Sequence, residues 1–268
     1  MARPITFLSD FGLRDEFVGV VHGVISKLAP ESTVIDLAHH VPRGNVKAGA
    51  LTVTRAIQYL PEGVLLAVVD PGVGTERRAI AVETPWGHLV GPDNGVLSPA
   101  VAMVGGASRI VSIENPEARI PSAGATFQGR DVFAPAAALL AVDRKAFDDL
   151  GPAIDPESAM PMMLPLPEVD SAAVTGEVWW VDGFGNAQTN IGPDDLDSIG
   201  LAGGDLVTIR VRGVDHEARW VSTYAEAEER DLLVHVDSAG LIAVAARGDS
   251  AAEQLGLSED LAITLRRS

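Results

Sequence analysis

The stretch Val64-Leu-Leu-Ala-Val-Val69, followed by Asp70-Pro-Gly-Val-Gly-Thr75, decides how the first half of this chain folds. Six consecutive apolar residues without polar alternation are typical of a strand buried on both faces of a parallel sheet. The Asp-Pro-Gly sequence ends that strand, because proline and glycine favour turns. In open α/β sheets, ligands bind beyond the carboxyl ends of the strands. The stretch therefore predicts a sheet whose edge carries a polar loop and a candidate binding site.

The segments around this strand alternate between strand-like and helix-like patterns. Apolar residues at helical spacing predict helices over 15–28, 46–60 and 131–142. Further β-rich runs predict strands at 5–11, 33–37, 63–69, 79–83, 88–90 and 109–113. This alternation predicts an N-terminal α/β domain with a mostly parallel sheet over residues 1–150.

The character of the sequence changes near Leu150. Residues 151–170 are rich in proline and methionine, which favours a linker between two domains. Beyond them, short β-like runs with glycine turns occur at 174–181, 206–211, 218–222, 232–236, 241–245 and 261–265. That spacing predicts a smaller C-terminal all-β domain over residues 171–268, built as a barrel or a sandwich.

Composition excludes several classes of function. The 268 residues include no cysteine, so disulfides, zinc–thiolate sites, iron–sulfur clusters and a cysteine nucleophile are excluded. The formal net charge is −17, and phosphate backbones or anionic lipids repel such a chain. The opening residues lack the features of a signal peptide, and the most apolar stretch, 132–142, is too short to span a bilayer. We expect a cytoplasmic protein that binds neither nucleic acid nor membranes.

Carboxylates after predicted strands are the first candidates for chemistry. Asp10, Asp36 and Asp70 stand at such positions, so we expect three carboxylates to gather at one edge of the sheet. The alternative is that each one caps a helix or a turn. The six histidines form no metal-binding pattern, since His39 and His40 are adjacent and would point to opposite faces of a strand. With no HExxH, GxSxG or Walker motif either, we expect no metal ion and no serine-type triad.

Six short motifs occur in order along the chain: Ser9-Asp-Phe-Gly12, Val69-Asp-Pro-Gly-Val-Gly-Thr75, Pro92-Asp-Asn-Gly95, Thr126-Phe-Gln-Gly-Arg-Asp131, Asp182-Gly-Phe-Gly-Asn186, and Asp237-Ser with Ser250-Ala-Ala. Together they resemble the S-adenosyl-L-methionine (SAM) hydroxide adenosyltransferases, the hydrolase relatives of the bacterial fluorinase and chlorinase. The resemblance covers both domains and the linker. It implies hydrolysis of SAM to adenosine and L-methionine by in-line attack of an activated water on ribose C5′, with no cofactor and no metal.

The resemblance also implies a homotrimer, in which SAM lies between the N-terminal domain of one subunit and the C-terminal domain of the next. The substrate contacts it implies are Asp10 for the ribose hydroxyls, Asp15 for the methionine amino group, Asp182, Phe184 and Asn186 for the adenosine and methionine, Ser238 for the carboxylate, and the backbone around Arg247 and Gly248 for the adenine edge.

The catalytic set departs from the family pattern at one position. Asp70 and Arg77 match two members of a water-activating set of Asp, Arg and His, but the place of the His is taken by Gln128. An amide can hydrogen-bond a water and cannot take up a proton near neutral pH. Two alternatives therefore stay open. One is a SAM- or adenosine-binding protein with reduced catalysis. The other is a halogenase that delivers chloride, for which Gly129 leaves room, although the charge of Asp70 favours water.

Overall fold

The computed structural model describes residues 2–143 and 146–268. Within it the chain divides into two compact units, with unit 1 ending at Met163 and unit 2 running from Leu164 to Ser268. The proline- and methionine-rich segment predicted as a linker is therefore shared between the two units. No helix of the described residues combines the length and the apolar character needed to cross a membrane.

Among its described residues, unit 1 contains one sheet and four α-helices. Its strands are β1 (Ile5–Ser9), β2 (Val34–Ala38), β3 (Val64–Val68), β4 (Ala79–Thr84), β5 (Gly87–Pro92), β6 (Arg109–Ser112) and β7 (Ala153–Ile154). Its helices are α1 (Phe17–Leu28), α2 (Val46–Ala56), α3 (Ser98–Met103) and α4 (Ala134–Ala141). The strand order is β2-β1-β3-β5-β4-β6-β7. The four strands β2, β1, β3 and β5 run parallel, while β4 pairs antiparallel with both of its neighbours.

The strand β3 lies inside this sheet, between β1 and β5, and is buried along its whole length. Successive side chains of a strand point to opposite faces. Leu66 accordingly belongs to the apolar cluster that includes residues of α1 and α4, whereas Leu65 belongs to the cluster that includes residues of α2 and α3. Burying one leucine side chain contributes about 1.5–3 kcal/mol. The predicted α/β layer with a mostly parallel sheet is confirmed, and β3 is buried within it.

The helices differ from their predicted bounds at the ends, where local capping decides. The side chain of Asn45 accepts a hydrogen bond from the Ala48 backbone N–H at 2.9 Å, and α2 begins directly after it. At its other end α2 tightens into a 3₁₀ turn, Ile57–Tyr59. The helix predicted over 131–142 begins with a π-helical turn, Gly129–Phe133, that leads into α4.

Unit 2 is built almost entirely from strands. They are β8 (Glu168–Val169), β9 (Ala173–Val181), β10 (Ala187–Thr189), β11 (Leu206–Val211), β12 (Val214–Trp220), β13 (Leu232–Val236), β14 (Ile242–Ala246) and β15 (Ala262–Arg267), with the short helices α5 (Pro193–Ser198) and α6 (Ala251–Leu255). Neighbouring strands follow the order β10-β14-β13-β12-β11-β15-β9, and β9 pairs with β10. The seven strands therefore close into a barrel, and β8 is attached to β9.

Closure decides between the two predicted architectures in favour of the barrel. On β11, Val207, Ile209 and Val211 belong to the apolar core of unit 2, while Leu206 and Arg210 are exposed; Thr208 is also buried but lies outside that core, with its hydroxyl hydrogen-bonded to Ser268. This alternation directs every second side chain into the barrel, as expected for a small closed sheet. The strand that completes the ring, β10, has three residues and was not predicted, because so short a segment carries no recognisable periodicity.

Candidate active site

A cleft at the carboxyl edge of the unit 1 sheet is lined by Asp70, one of the predicted catalytic residues, and by the predicted substrate contacts Asp10 and Asp15. Strands β1 and β3 are parallel neighbours with Ser9 opposite Val68, so the residues that follow them reach the same edge. Asp10 and Asp70 both line a cleft of about 480 Å³ there. The other lining residues are Phe11, Asp15, Phe17, Arg43, Thr126 and Phe127.

The expectation that Asp36 joins these carboxylates was wrong. Asp36 lies inside β2 opposite Phe7, because the strand continues to Ala38. Its carboxylate Oδ1 is hydrogen-bonded by His22 and His39 at 2.8 and 2.9 Å. Asp36 therefore belongs to a separate polar cluster and does not line the cleft.

The three side chains predicted to be catalytic contact one another at this edge of the sheet. The Arg77 guanidinium donates from Nε to Asp70 Oδ1 at 2.8 Å and from Nη2 to Asp70 Oδ2. The same Nη2 donates to Gln128 Oε1 at 2.6 Å. Asp70 and Arg77 thus form a two-point ion pair, and Gln128 presents its amide oxygen to the shared cation.

The ion pair is largely shielded from water. The Arg77 and Asp70 side chains are 11% and 6% exposed, and the guanidinium carbon lies 5.3 Å from the centroid of the Phe133 ring. A guanidinium stays charged throughout the physiological range, so the pair keeps a fixed positive charge beside the carboxylate. Each carboxylate oxygen carries two lone pairs, so one on each remains for a water molecule. The arrangement can hold and polarise a water between a base and a cation.

Gln128 is held in place by the tight packing that follows it. The π-helical turn begins at the next residue, Gly129, where a Cβ atom would approach Phe11 Cζ to 2.9 Å and Phe127 Cε2 to 3.4 Å. Such a distance is shorter than ordinary van der Waals contact, so only glycine fits without moving Phe11. The glycine therefore sets how closely the Gln128 backbone approaches the aromatic side of the cleft.

Replacing Gly129 by Ala is expected to destabilise the protein by about 1–3 kcal/mol, because the added methyl group overpacks against Phe11. Gly124→Ala is the matched control, since nothing lies within 4 Å of a Cβ built at Gly124. Thermal unfolding of both variants measures the difference. Equal melting temperatures for the two variants would show that Phe11 moves aside without cost.

Three phenylalanines form an aromatic wall of the cleft that the sequence analysis did not single out. The ring centroids of Phe11 and Phe17 are 6.0 Å apart, and Phe127 lies 5.9 Å from Phe11 and 5.1 Å from Phe17. Phe11 and Phe127 stand inside two of the six motifs, and this was the signal in the sequence that could have identified them.

Two predicted carboxylates also line the cleft. Asp10 accepts a hydrogen bond from the Gly44 N–H at 2.8 Å, and Asp15 is exposed.

Unit 2 carries a second cleft, of about 700 Å³, around the Asp182-Gly-Phe-Gly-Asn186 turn. Asp182 Oδ1 accepts hydrogen bonds from the backbone N–H groups of Phe184 and Asn186 at 2.8 and 2.9 Å, and Asp182 Oδ2 accepts one from Asn186 Nδ2 at 2.8 Å. At Gly185, φ is 85° and a Cβ atom would overlap Ser250, so this turn needs glycine. The turn presents the Phe184 ring, which is 84% exposed.

The remaining predicted residues of unit 2 divide between two depressions. Gly248 lines the large cleft together with Ser250. Ser238 lines a smaller one of about 170 Å³ that also includes Asp182 and Asn186. Arg247 lines neither of them. Its backbone N–H donates to the Asp231 carbonyl at 3.2 Å and its carbonyl accepts from the Arg230 N–H at 2.8 Å, so the strand-end ladder uses both groups.

Tyr224 is a residue of this region that the sequence analysis missed. It lines both depressions, and its hydroxyl lies 3.3 Å from His235 Nε2. Burial and the nearby carboxylates of Asp182 and Asp237 raise the pKa of the Tyr224 hydroxyl above its usual value. The phenol is therefore neutral and can donate a hydrogen bond. It stands outside every motif, in a 3₁₀ turn, Tyr224–Glu226, so no pattern in the sequence marks it.

Comparison with known proteins identifies both units. Residues 5–151 match the model of the SAM hydroxide adenosyltransferase N-terminal domain, and residues 176–264 match that of the C-terminal domain. A (R)-S-adenosyl-L-methionine hydrolase from Salinispora arenicola is 43% identical over 95% of this chain and 94% of its own. One from Thermus thermophilus is 40% identical over 98% and 99%.

More distant relatives and a solved structure agree with these matches. A fluorinase from Actinopolyspora mzabensis is 28% identical over 100% of this chain and 98% of its own. The crystal structure of an uncharacterized conserved protein from Thermotoga maritima superposes with a TM-score of 0.91. That protein is 36% identical, and the match covers 98% of this chain and all of the other.

Proposed function

This chain belongs to the SAM hydroxide adenosyltransferase family, and from that premise we propose that it hydrolyses S-adenosyl-L-methionine to adenosine and L-methionine. The observation that carries the assignment to particular residues is the shielded Asp70–Arg77 ion pair, in which Asp70 lines the cleft and Arg77 contacts Gln128. A base that accepts the proton, beside a cation that stabilises the hydroxide, can activate a water molecule.

The chemistry is an in-line displacement at ribose C5′. The water oxygen forms a bond to C5′ while the C5′–sulfur bond breaks, and the electron pair of that bond returns to sulfur as the neutral thioether of methionine. The water loses one proton, which Asp70 accepts and passes to solvent. Attacking hydroxide and leaving sulfonium neutralise each other in the transition state, so bulk water stabilises the separated charges more than the transition state. A shielded site that holds the water opposite sulfur therefore accelerates the step by orientation and desolvation.

The contacts in unit 1 support a role for each of the predicted residues there. Asp70 orients the water through a free lone pair and serves as the proton acceptor. Arg77 stabilises the hydroxide that forms. Asp10, held by the Gly44 N–H, keeps carboxylate lone pairs for the ribose hydroxyls, and the exposed Asp15 is available to the methionine amino group. The Gln128 amide contributes a hydrogen bond and no proton transfer.

The geometry favours water over chloride as the nucleophile. A chloride ion in this cleft would lie beside the Asp70 carboxylate, whose charge repels an anion. Incubating purified protein with SAM, with and without chloride, and resolving the products by chromatography tests the assignment. Adenosine and methionine in both cases support the hydrolase. A 5′-chlorinated nucleoside that forms only with chloride would assign a halogenase, and recovery of intact SAM would assign a binding protein.

We propose further that each active site is completed by two subunits of a homotrimer. The water-activating groups lie on unit 1, whereas the exposed Phe184 ring and the Asp182–Asn186 turn lie on unit 2. A side chain as apolar and as exposed as Phe184 suits a contact with the substrate's adenosine or with a second chain. In the assembly, unit 2 of one subunit would supply Asp182, Phe184, Asn186, Ser238 and Gly248 to the unit 1 cleft of its neighbour.

Light scattering is expected to give a mass close to three chains. The shared site can also be tested with two variants, because Asp70→Asn changes the part on unit 1 and Phe184→Ala changes the part on unit 2. Both variants alone should be weakly active. Coexpressed as mixed trimers, they should regain activity, since some sites combine an intact Asp70 with an intact Phe184. Mixtures of wild type with each variant serve as controls for dilution. A monomer, or mixed trimers without recovered activity, would contradict the shared site.

A further inference from the structure

A second cluster of chemically active side chains lies on unit 1, outside the catalytic cleft. His22 extends from α1, Asp36 from β2, and His39 follows the end of β2. Both imidazole Nε2 atoms lie close to the same oxygen, Asp36 Oδ1, at 2.8 Å for His22 and 2.9 Å for His39. One ligand atom from each residue lies within 4.8 Å of the other two. Three groups that commonly bind transition metals therefore converge on one point.

The surroundings of His39 match those of a metal ligand. Its ring is buried, and its second nitrogen, Nδ1, lies 2.8 Å from the hydroxyl of Ser9, which is itself fully buried. A metal at Nε2 would replace the hydrogen that this nitrogen shares with Asp36 and leave Nδ1–H to donate to the Ser9 hydroxyl, and metal-binding histidines typically donate their second N–H to an outer partner. The Phe7 ring, 4.6 Å from the imidazole centroid, restricts the ring further. The Nε2 of His39 is therefore fixed in direction towards Asp36.

The charges of the cluster suit a divalent cation. The Asp36 carboxylate brings a negative charge to the point where the two imidazoles meet. The cluster thus offers one carboxylate and two imidazoles, a donor set typical of zinc. The side chains of Asp36 and His22 are 48% and 35% exposed, which leaves room for water as a fourth ligand.

We propose that His22, Asp36 and His39 form a binding site for a divalent transition-metal ion, with zinc as the metal that fits best. Tetrahedral ligands about 2.0–2.1 Å from zinc lie ~3.3 Å from each other. Each histidine Nε2, now 2.8 or 2.9 Å from Asp36 Oδ1, therefore moves roughly half an ångström away from that oxygen when the metal enters. His22, the more exposed of the two histidines, can make that adjustment by rotating its side chain.

A metal bound here would stabilise the loop that carries Asp10. The backbone carbonyl of His39 accepts a hydrogen bond from the Gly12 N–H at 2.7 Å, and the Ser9 hydroxyl accepts one from the Phe11 N–H. Both contacts hold the loop that carries Asp10 into the catalytic cleft. A metal on His39 would fix the base of that loop without touching the reacting atoms. No spacing in the sequence indicates this cluster, because His22 joins it from a helix through tertiary packing.

The test uses the full-length protein after treatment with a chelator. Calorimetric titration with ZnCl₂ is expected to show one site per chain, and CoCl₂ is expected to produce the visible absorption band of tetrahedral cobalt. Zinc should also raise the melting temperature in step with occupancy, because a ligand that binds only the folded state stabilises it. His22→Gln and Asp36→Asn should each weaken zinc binding at least tenfold, the lower end of the effect seen for outer-sphere partners alone.

His40→Gln is the matched control, because His40 is an exposed neighbour of His39 and lies outside the cluster. It should bind zinc like the wild type. Circular dichroism establishes that every variant is folded before titration. No saturable zinc binding, or binding that His22→Gln and His40→Gln leave equally strong, would overturn the proposal. The cluster would then be a hydrogen-bonded triad only.

Discussion

Replacing Asp70 by Asn is expected to lower the turnover of SAM by about 10²–10⁴, the usual effect of removing a positioned proton acceptor. The amide keeps the shape of the carboxylate and still accepts a hydrogen bond from Arg77, but it takes no proton. Single-turnover measurement of adenosine release gives the rate. Adenosine affinity, measured by calorimetry, should change little, since Asp70 acts on the water and not on the nucleoside.

The same substitution also removes the charge that neutralises Arg77, so its effect on the fold needs its own control. Breaking a buried ion pair by removing one partner costs about 3–5 kcal/mol. Asp93→Asn provides the comparison, because Asp93 pairs with Arg78 in the same unit, its side chain is only 5% exposed and it lies outside the catalytic cleft. Both variants should lose stability, and only Asp70→Asn should lose turnover. Unchanged turnover in a folded Asp70→Asn protein would assign proton transfer to another group.

Replacing Gln128 by His is expected to raise turnover by roughly 10²-fold, the lower end of the range for one acid–base group. In the present protein the amide oxygen is occupied by Arg77 Nη2, at 2.6 Å, and gives the water no base. An imidazole at this position would share in deprotonating the water and would help to carry the proton away. Adenosine release measured across pH for both forms makes the comparison.

The Gln128→His enzyme should also acquire a new pH dependence. An unperturbed imidazole titrates near ~6.5, and the adjacent Arg77 cation shifts the midpoint downward because it disfavours a second positive charge. Since the base must be neutral, turnover should rise with pH through this midpoint. Gln58→His, on the exposed turn Ile57–Tyr59, is the control for adding a histidine elsewhere. Equal rates and identical pH profiles for the wild-type and Gln128→His enzymes would leave catalysis to Asp70 and Arg77 alone.

The sequence predicted the elements whose signals are local and long. Val64–Val68 was recognisable because five consecutive apolar residues need burial on both faces of a sheet, and the burial of all five between two neighbouring strands confirms this. The three-residue strand β10 was not recognisable, since its pairing with β9 and β14 depends on chain that is distant in sequence. The choice between barrel and sandwich rests on that one strand, and so only the structure made it.

The candidate site shows the same division between local and distant information. Asp10 and Asp70 could be placed together because parallel neighbouring strands end at one edge. The hydrogen bonds of Asp36 with His22 and His39 depend on how α1 packs against the sheet, and a strand pattern in the sequence does not contain that information. Tyr224 reaches its cleft from a short turn for the same reason. Motif order marked the candidate residues, and tertiary packing decided which of them meet.

The way the barrel closes has a consequence for the order in which the protein matures on the ribosome. Strand β9 pairs with β15 along most of its length, with Val174 opposite Leu265, so its second edge stays open until the last strand has been made. Unit 1 ends at Met163, about one hundred residues earlier. At 5–20 residues per second, unit 1 has roughly 5–20 s to form before β15 is complete. During that interval, the unpaired edge of β9 exposes backbone N–H and C=O groups that can pair with other chains, and we expect a nascent-chain chaperone to bind there.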